Sequence, residues 1–391
     1  MSEWVALNIA LVGDGTSHWR AGHVAAIGDH RRQTIPLVDP ASPTPLIEGV
    51  DLWDMWPAQL DDGSTASFEG WTLWFVLCAP ALPDPDARHE IARIRLMSER
   101  SGEWRDSGHA LPDGLCPGSR EWAGSALYDP ASGLVTLFYT VAGHRGETSS
   151  SYAQRLFQTT GRLSMADGKA RIEDWSTPSE SVASDDDHYV LVNHKEGRPG
   201  FIKGFRDPAF FRDPADGAAY LLFTGSLKQS ASAWNGAIGI ARAADASLTR
   251  WNILPPLLSA DGLNNEQERP HVIHHGGLYY LFWSTQRHVF APDGPSGPTG
   301  LYGMVAPSLL GPYTPLNGTG LVAANPDEAP WQTYSWWVTS DLEVSGFIDL
   351  VGVEDGARQD DPAWRRAHFG GVPAPRFALE LDGDKARVAK G

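Results

Sequence analysis

The segment DLWDMWPAQL, residues 51–60, sets Asp54 between Trp53 and Trp56, and Pro57 bars a helix from running through. A carboxylate among indoles loses hydration, so a loop aspartate placed there has few purely structural uses. Asp207 follows Arg206 in GFRDPAFF, and Glu266 and Glu268 flank Gln267 in NNEQERPHVIHH. Two carboxyl groups about 5–5.5 Å apart are what a retaining glycosidase needs. One attacks the anomeric carbon while the other protonates the leaving oxygen and then activates the acceptor. Burial, mutual repulsion and a nearby arginine can separate their pKa values. A third carboxylate that does not react can hold sugar hydroxyls and oppose the positive charge of the transition state.

Plainer readings stand beside these. Arg206-Asp207-Pro208 has the composition of a surface turn, and Glu268-Arg269 that of a solvated pair at a strand start. His271, His274 and His275 precede a strand and read as a mixed surface and core set rather than as metal ligands. The run SDDDH at 184–188 reads as a solvated acidic loop rather than a metal site.

Residues 54, 207 and 268 can meet only if the fold brings distant segments together. A turn followed by a short apolar strand recurs along the chain: GWTLWFVLCA from Gly70, GLVTLFYTVAG from Gly133, GAAYLLFTGS from Gly217 and GLYYLFWSTQ from Gly277. YDPASGL and FRDPADGA place an Asp-Pro-Ala turn before two of them. ARIRLMS, RLFQTTGRLSM, YVLVN, AIGIARA, LYGMVA, SWWVTS and VSGFIDLVG are further strand candidates. Helical periodicity is scarce. Four-stranded units around an axis form a β-propeller, and five blades would take about 78 residues each; a pair of β-sandwiches is the alternative. The fold expected is all-β, a five-bladed β-propeller with its site in the central funnel. It occupies 1–391 as one catalytic domain, with roughly the first 45 and last 15 residues wrapping or extending it. The acidic segments are expected where loops enter or leave strands, around that funnel.

The bulk composition sets limits. A 391-residue chain with 42% hydrophobic and 20% charged residues can bury a full core. Its 41 Gly and 29 Pro are spread out, as many short connections require. The 16 Trp can stack on sugar rings as well as fill a core. A net charge of −17 argues against nucleic acid or an anionic membrane as partner. No stretch reaches 18 apolar residues, and the first residues lack the basic start of a cleavable signal peptide. Cys78 reads as a core residue and Cys116 as a loop residue; one disulfide is possible, with no framework.

Taken in order, these motifs resemble those of the levansucrase and β-fructofuranosidase family, glycoside hydrolase family 68, from about residue 45 to 375. WDMWP, EWAGSA at 121–126, Arg206-Asp207-Pro208, Glu266-Gln267-Glu268-Arg269, TYSWWV and GFIDL at 346–350 carry the resemblance. It implies a five-bladed propeller and double displacement on sucrose. Asp54 would be the nucleophile, Glu268 the acid/base and Asp207 the transition-state stabiliser. Trp53 and Trp122 would wall the fructosyl subsite. Arg206 would span both sugars, Glu266 would bind the glucosyl side, and Tyr334 would bond within the carboxylate cluster. Relatives that lack a cleavable signal can act outside the cell, so an extracellular or periplasmic location is expected, with the cytoplasm left open.

Four departures from the family pattern carry expectations. Ala123 stands where a serine is usual, which removes a hydroxyl contact to the nucleophile or sugar. Gln286, beside Arg287 and His288, stands where a histidine or arginine usually faces the acceptor. That favours water and short sugars over a long levan. Trp336 replaces a histidine, thickening the aromatic wall. Asn265 replaces the aspartate through which Gram-positive members hold calcium, so no metal or other cofactor is expected. The partners expected are sucrose and short fructan or sugar acceptors. The rival readings are a dedicated levan-forming enzyme, an arabinose- or xylose-acting propeller glycosidase, and a carbohydrate-binding propeller without catalysis.

Overall fold

The computed structural model describes residues 15–28, 32–192 and 202–389. A short strand, β1 (Ser17–His18), and a short helix, α1 (Ala21–Ala25), precede five antiparallel blades. Blade I holds β2 (Val50–Gln59), β3 (Ser67–Phe68), β4 (Trp71–Pro80), β5 (Arg93–Arg100) and β6 (Glu103–His109). Blade II holds β7 (Arg120–Asp129), β8 (Leu134–Ala142), β9 (Gln154–Ala166), β10 (Lys169–Glu173) and β11 (Ser179–Val182). Blade III holds β12 (Phe205–Arg212), β13 (Ala219–Ser226), β14 (Gly236–Ala243) and β15 (Trp251–Ser259). Blade IV holds β16 (Glu268–His275), β17 (Leu278–Thr285), β18 (Gly300–Ala306), β19 (Thr314–Pro315) and β20 (Leu321–Ala324). Blade V holds β21 (Thr333–Val338), β22 (Glu343–Leu350), β23 (Phe369–Pro373), β24 (Phe377–Asp382) and β25 (Lys385–Val388), with helix α2 (Pro362–His368) before β23.

The repeated apolar phrases become β4, β8, β13 and β17, the second strand of blades I to IV. These strands are apolar on both faces because neighbouring blades cover both: LYYLFWST in β17 is buried from Tyr279 onward. YVLVN does not form a strand. Tyr189 makes one isolated bridge to Leu227 and buries its ring against Phe223, and Asn193 lies outside the described residues.

The ring is held in four ways. Blades I and II share one sheet through a parallel pairing of β2 with β7 at Ala58↔Ala126. Blade V meets blade I through ion pairs, Arg366 to Asp51 at 2.6 Å and Arg376 to Glu99 at 2.5 Å. The N-terminal segment laces the outside. β1 pairs with β15 of blade III, and the Trp19 indole packs against Trp283 and Tyr302 of blade IV. Val38 and Pro36 then hydrogen-bond the Gln332 amide at the start of blade V. The β24–β25 hairpin reaches back to blade IV, where Asn317 Nδ2 donates to Ala386 O at 3.0 Å. Both cysteines are buried free thiols.

A candidate active site at five β-bulges

The inner strand of every blade breaks register at the same level. The bulges fall between Trp53 and Met55 in β2, between Trp122 and Gly124 in β7, and between Arg206 and Ala209 in β12. They recur between Glu268 and His271 in β16 and between Tyr334 and Trp337 in β21. A bulge inserts an extra residue, bends the strand and re-aims side chains. Four of the inserted residues take left-handed backbone: Asp54 (φ 31), Asp207 (φ 61), Arg269 (φ 52) and Ser335 (φ 59). Non-glycine residues held there cost roughly 1–3 kcal/mol each, a strain that clusters at functional sites.

This differs from the sequence expectation for two of the acidic segments. Asp54 and Asp207 lie inside continuous strands, and only Glu268 sits at a strand start. The residue before each bulge and the bulged residue itself line one funnel of about 400 Å³, a size suited to a small sugar. All ten residues expected at the site line it: Asp54, Asp207, Glu268, Trp53, Trp122, Ala123, Arg206, Glu266, Gln286 and Tyr334.

Arg206 organises the carboxylates of blades III and IV. Its Nη2 donates to Glu266 at 2.6 Å and to Glu268 at 2.8 Å. Its Nη1 is buried with no hydrogen-bond partner among the described residues, a donor left for something in the funnel. Tyr334 donates its hydroxyl to Glu268 Oε2. Glu266 and Glu268 hydrogen-bond each other and compete for one proton. Burial and the neighbouring Glu268 push Glu266 up to about 7. Burial also raises Glu268, but Arg206, Tyr334 and Glu266 outweigh it and hold Glu268 below the usual glutamate range. The pair therefore carries a single proton near neutral pH, resting on Glu266.

Burial raises Asp54, opposed by Arg269, the Ser335 hydroxyl and Arg88. By area, Asp54 is only partly buried. Burial likewise raises Asp207 to about 6, with Arg206 opposing.

Arg269 and Ser335 were assigned no role at the site, yet they tie the floor together. Arg269 donates from its backbone N to Asp207 Oδ2 at 3.2 Å, from Nη2 to Met55 O at 2.8 Å and from Nη1 to Ser335 Oγ at 3.0 Å. Ser335 hydrogen-bonds the Asp54 carboxylate, so a hydroxyl absent at Ala123 reaches Asp54 from blade V. Their signal was positional: each follows the pre-bulge residue as Asp54 and Asp207 do, and Pro270 follows Arg269 as Pro208 follows Asp207.

Arg88 and His89, from the β4–β5 connection, had no such signal. The Arg88 guanidinium lies over Trp53 and Phe369, and the His89 ring meets Trp53 edge-on at 5.9 Å. Burial holds His89 far below its usual range, hence neutral. Asp349 of GFIDL also lines the funnel, raised by burial to about 6 against Arg88 and Arg358.

Trp56 does not face the funnel; it stacks on Phe75 beneath Arg269. One aromatic expectation needs correction. Trp336 is 2% exposed and packs edge-on behind Tyr334 rather than thickening the wall. Of the three histidines, His271 is buried, with Val338 N donating to its Nε2, so its proton sits on Nδ1 toward Arg269 O. His275 is half-buried and His274 exposed. In the SDDDH run, Asp186 pairs with Lys228 in an exposed contact. Asn265 donates to Ile202 O at 2.6 Å, and Lys203 Nζ reaches Asn235 Oδ1 at 2.6 Å beside it. Among the described residues, no group of three or more His, Cys, Asp or Glu side chains is placed to hold a metal ion. Nor is any helix among them long and apolar enough to cross a membrane.

The family model described as Levansucrase/Invertase, glycoside hydrolase family 68, matches residues 10–231 and 226–390. The levansucrase of Zymomonas mobilis is 32% identical over 412 residues, covering 98% of this chain and 92% of that protein. The levansucrase of Rahnella aquatilis is 31% identical over 397 residues, covering 91% of this chain and 90% of that one. The inulosucrase from Halalkalicoccus jeotgali, solved bound to kestose, superposes with a TM-score of 0.87 at 38% identity over 95% of each chain. The β-fructofuranosidase catalytic domain from Microbacterium saccharophilum K-1 shares the fold, with a TM-score of 0.83 at 23% identity over 96% of this chain and 91% of that one.

Proposed function

Because the chain belongs to glycoside hydrolase family 68, the levansucrase and invertase family, we propose that it cleaves sucrose by double displacement through a fructosyl ester on Asp54. The class is that of a sucrose-acting glycoside hydrolase and fructosyltransferase. One observation carries the mechanism: Asp54, Asp207 and Glu268, from three blades, line a single funnel in which Arg206 grips both Glu266 and Glu268.

The fructosyl ring lies between Trp53 and Trp122, which exclude water from the line of attack. Asp54 attacks the anomeric carbon as the bond to the glucosyl oxygen breaks. The proton shared by Glu266 and Glu268 passes through Glu268 to that oxygen, and glucose leaves. Asp207, held charged by Arg206, binds fructosyl hydroxyls and opposes the oxocarbenium charge. Glu268 then takes a proton from water or a sugar hydroxyl. The new oxygen attacks the same carbon from the face that glucose left, and Asp54 is released with retained configuration. Arg206 Nη1 and Glu266 meet the glucosyl unit, and Tyr334 keeps Glu268 oriented. The whole chain acts as one catalytic unit.

Gln286 on the rim offers a neutral amide where an acceptor chain would be held, which supports hydrolysis and short fructooligosaccharides over high-molecular-weight levan. Chromatography of sucrose digests over time tests this: glucose, fructose and short oligosaccharides are expected, and a high polymer as main product would favour the levan-forming reading. Asp54→Ala should release no glucose. A wild-type protein inert toward sucrose across a broad range of conditions would favour a binding propeller instead.

A further inference from the structure

Each bulge frees backbone groups from the sheet ladder, and buried polar groups must find new partners. On the second strand, the residues opposite the pre-bulge positions are Leu77, Thr140, Thr224, Ser284 and Phe347. The three hydroxyls among them are fully buried and all reach into bulges. Thr140 Oγ1 donates to Ala123 O at 3.0 Å and accepts from Asp207 N at 2.8 Å. Ser284 Oγ accepts from Trp336 N at 2.9 Å. Both serve backbone alone. Thr224 is different: its Oγ1 lies 3.1 Å from Asp207 Oδ2 and 2.9 Å from Gln267 O.

We infer that Thr224, which does not line the funnel, is a positioning residue for the proposed reaction: its hydroxyl fixes Asp207 and ties it to the segment carrying Glu266 and Glu268. This rests on the reading of Asp207 given above. The contacts to the Asp207 carboxylate all fall on Oδ2: Thr224 Oγ1, Arg269 N at 3.2 Å and Arg206 Nε at 3.7 Å. No hydrogen bond among the described residues reaches Oδ1. The arrangement turns Oδ1 toward the sugar and leaves the carboxylate little freedom to rotate, which is the preorganisation a charge-stabilising group needs. The single hydroxyl hydrogen is shared between Oδ2 and Gln267 O, so blade III's stabiliser and blade IV's acid/base segment keep a fixed separation.

The test compares wild type, Thr224→Val and Thr224→Ser on sucrose, with thermal melts alongside. Valine keeps the shape and removes the donor; serine keeps the donor. Thr224→Val should lower kcat/KM roughly 10- to 100-fold, mostly in kcat. Losing a donor to the ionised carboxylate should also move the acid limb of the kcat/KM profile to higher pH. Thr224→Ser should restore both to within a few-fold of wild type. Ser284→Ala, whose bond is to backbone only, should lower the melting temperature and leave the acid limb in place. If Thr224→Val fails to fold, Thr224→Ala carries the same comparison with serine. An unmoved limb with unchanged kcat/KM in the donor-free variant overturns the inference. So do equal losses in valine and serine, or an equal limb shift in Ser284→Ala. A wild type that releases no glucose from sucrose breaks the functional reading itself, a result distinct from any of these.

Discussion

Blade II and blades I, III, IV and V bulge at the same level, but they fill the inserted position differently. The four carry Asp54, Asp207, Arg269 and Ser335, each in left-handed backbone and each bonded to another of the set. Blade II carries Ala123 with no positive φ, followed by Gly124, whose added Cβ would lie 1.9 Å from Phe138 O. Where a carboxylate, guanidinium or hydroxyl must be aimed at the funnel, the chain holds a strained residue and ties it down. Where only a wall is needed, the strain is absent and a glycine lets β7 close on β8. The propeller supplies five equivalent positions, and side chains decide which do chemistry.

The contrast can be broken most sharply at blade I. Asp54→Asn keeps the shape and removes the nucleophile, so kcat on sucrose should fall roughly 10⁴-fold or more. Residual activity within tenfold would mean that the blade I bulge is no more reactive than that of blade II. Glu268→Gln should lose about 10²–10⁴-fold in kcat with sucrose binding retained, because the leaving oxygen is no longer protonated. Turnover within a few-fold of wild type would remove Glu268 from the acid role.

The pH dependence of kcat/KM should be bell-shaped. Its alkaline limb should lie near pH 7, where the proton shared by Glu266 and Glu268 is lost. On the acid side, protonating Asp207 near pH 6 removes the charge that opposes the oxocarbenium ion, and Asp54, raised by burial, adds to the same limb. A Glu266→Gln variant that kept the alkaline limb unmoved would place the proton elsewhere. Gln286→His should lengthen the oligosaccharides with kcat changed by a few-fold at most; an unaltered product range would acquit that position. Ala123→Ser gives blade II the hydroxyl it lacks and should change kcat/KM least, within a few-fold. A tenfold gain would show that the hydroxyl of Ser335 does not replace it.

Much of this was legible in the sequence, for identifiable reasons. Glycine-led apolar phrases marked the second strands, because sandwiched strands read as continuous apolar runs. Asp54 stood out because a carboxylate between indoles is uncommon without a use, whereas Asp207 and Glu268, plausible as a turn and a solvated pair, gained their weight from the order of the family motifs. The bulges were not legible. Register is set by pairing with a distant strand, and an inserted residue resets which side chains face inward. That is why Trp336 looked like part of the funnel wall and lies behind it instead. Arg269 looked like half of a solvated pair because nothing local shows that it reaches Met55, far away on blade I. Arg88 and His89 lie in a connection outside the repeat, with nothing in their spacing to mark them.

The most direct measurement is mass spectrometry of peptides from wild-type protein quenched in denaturant during sucrose turnover. The peptide containing Asp54 should carry one fructosyl unit as an ester. Steady glucose release with no adduct, or with the adduct on Asp207 or Glu268, would contradict the account.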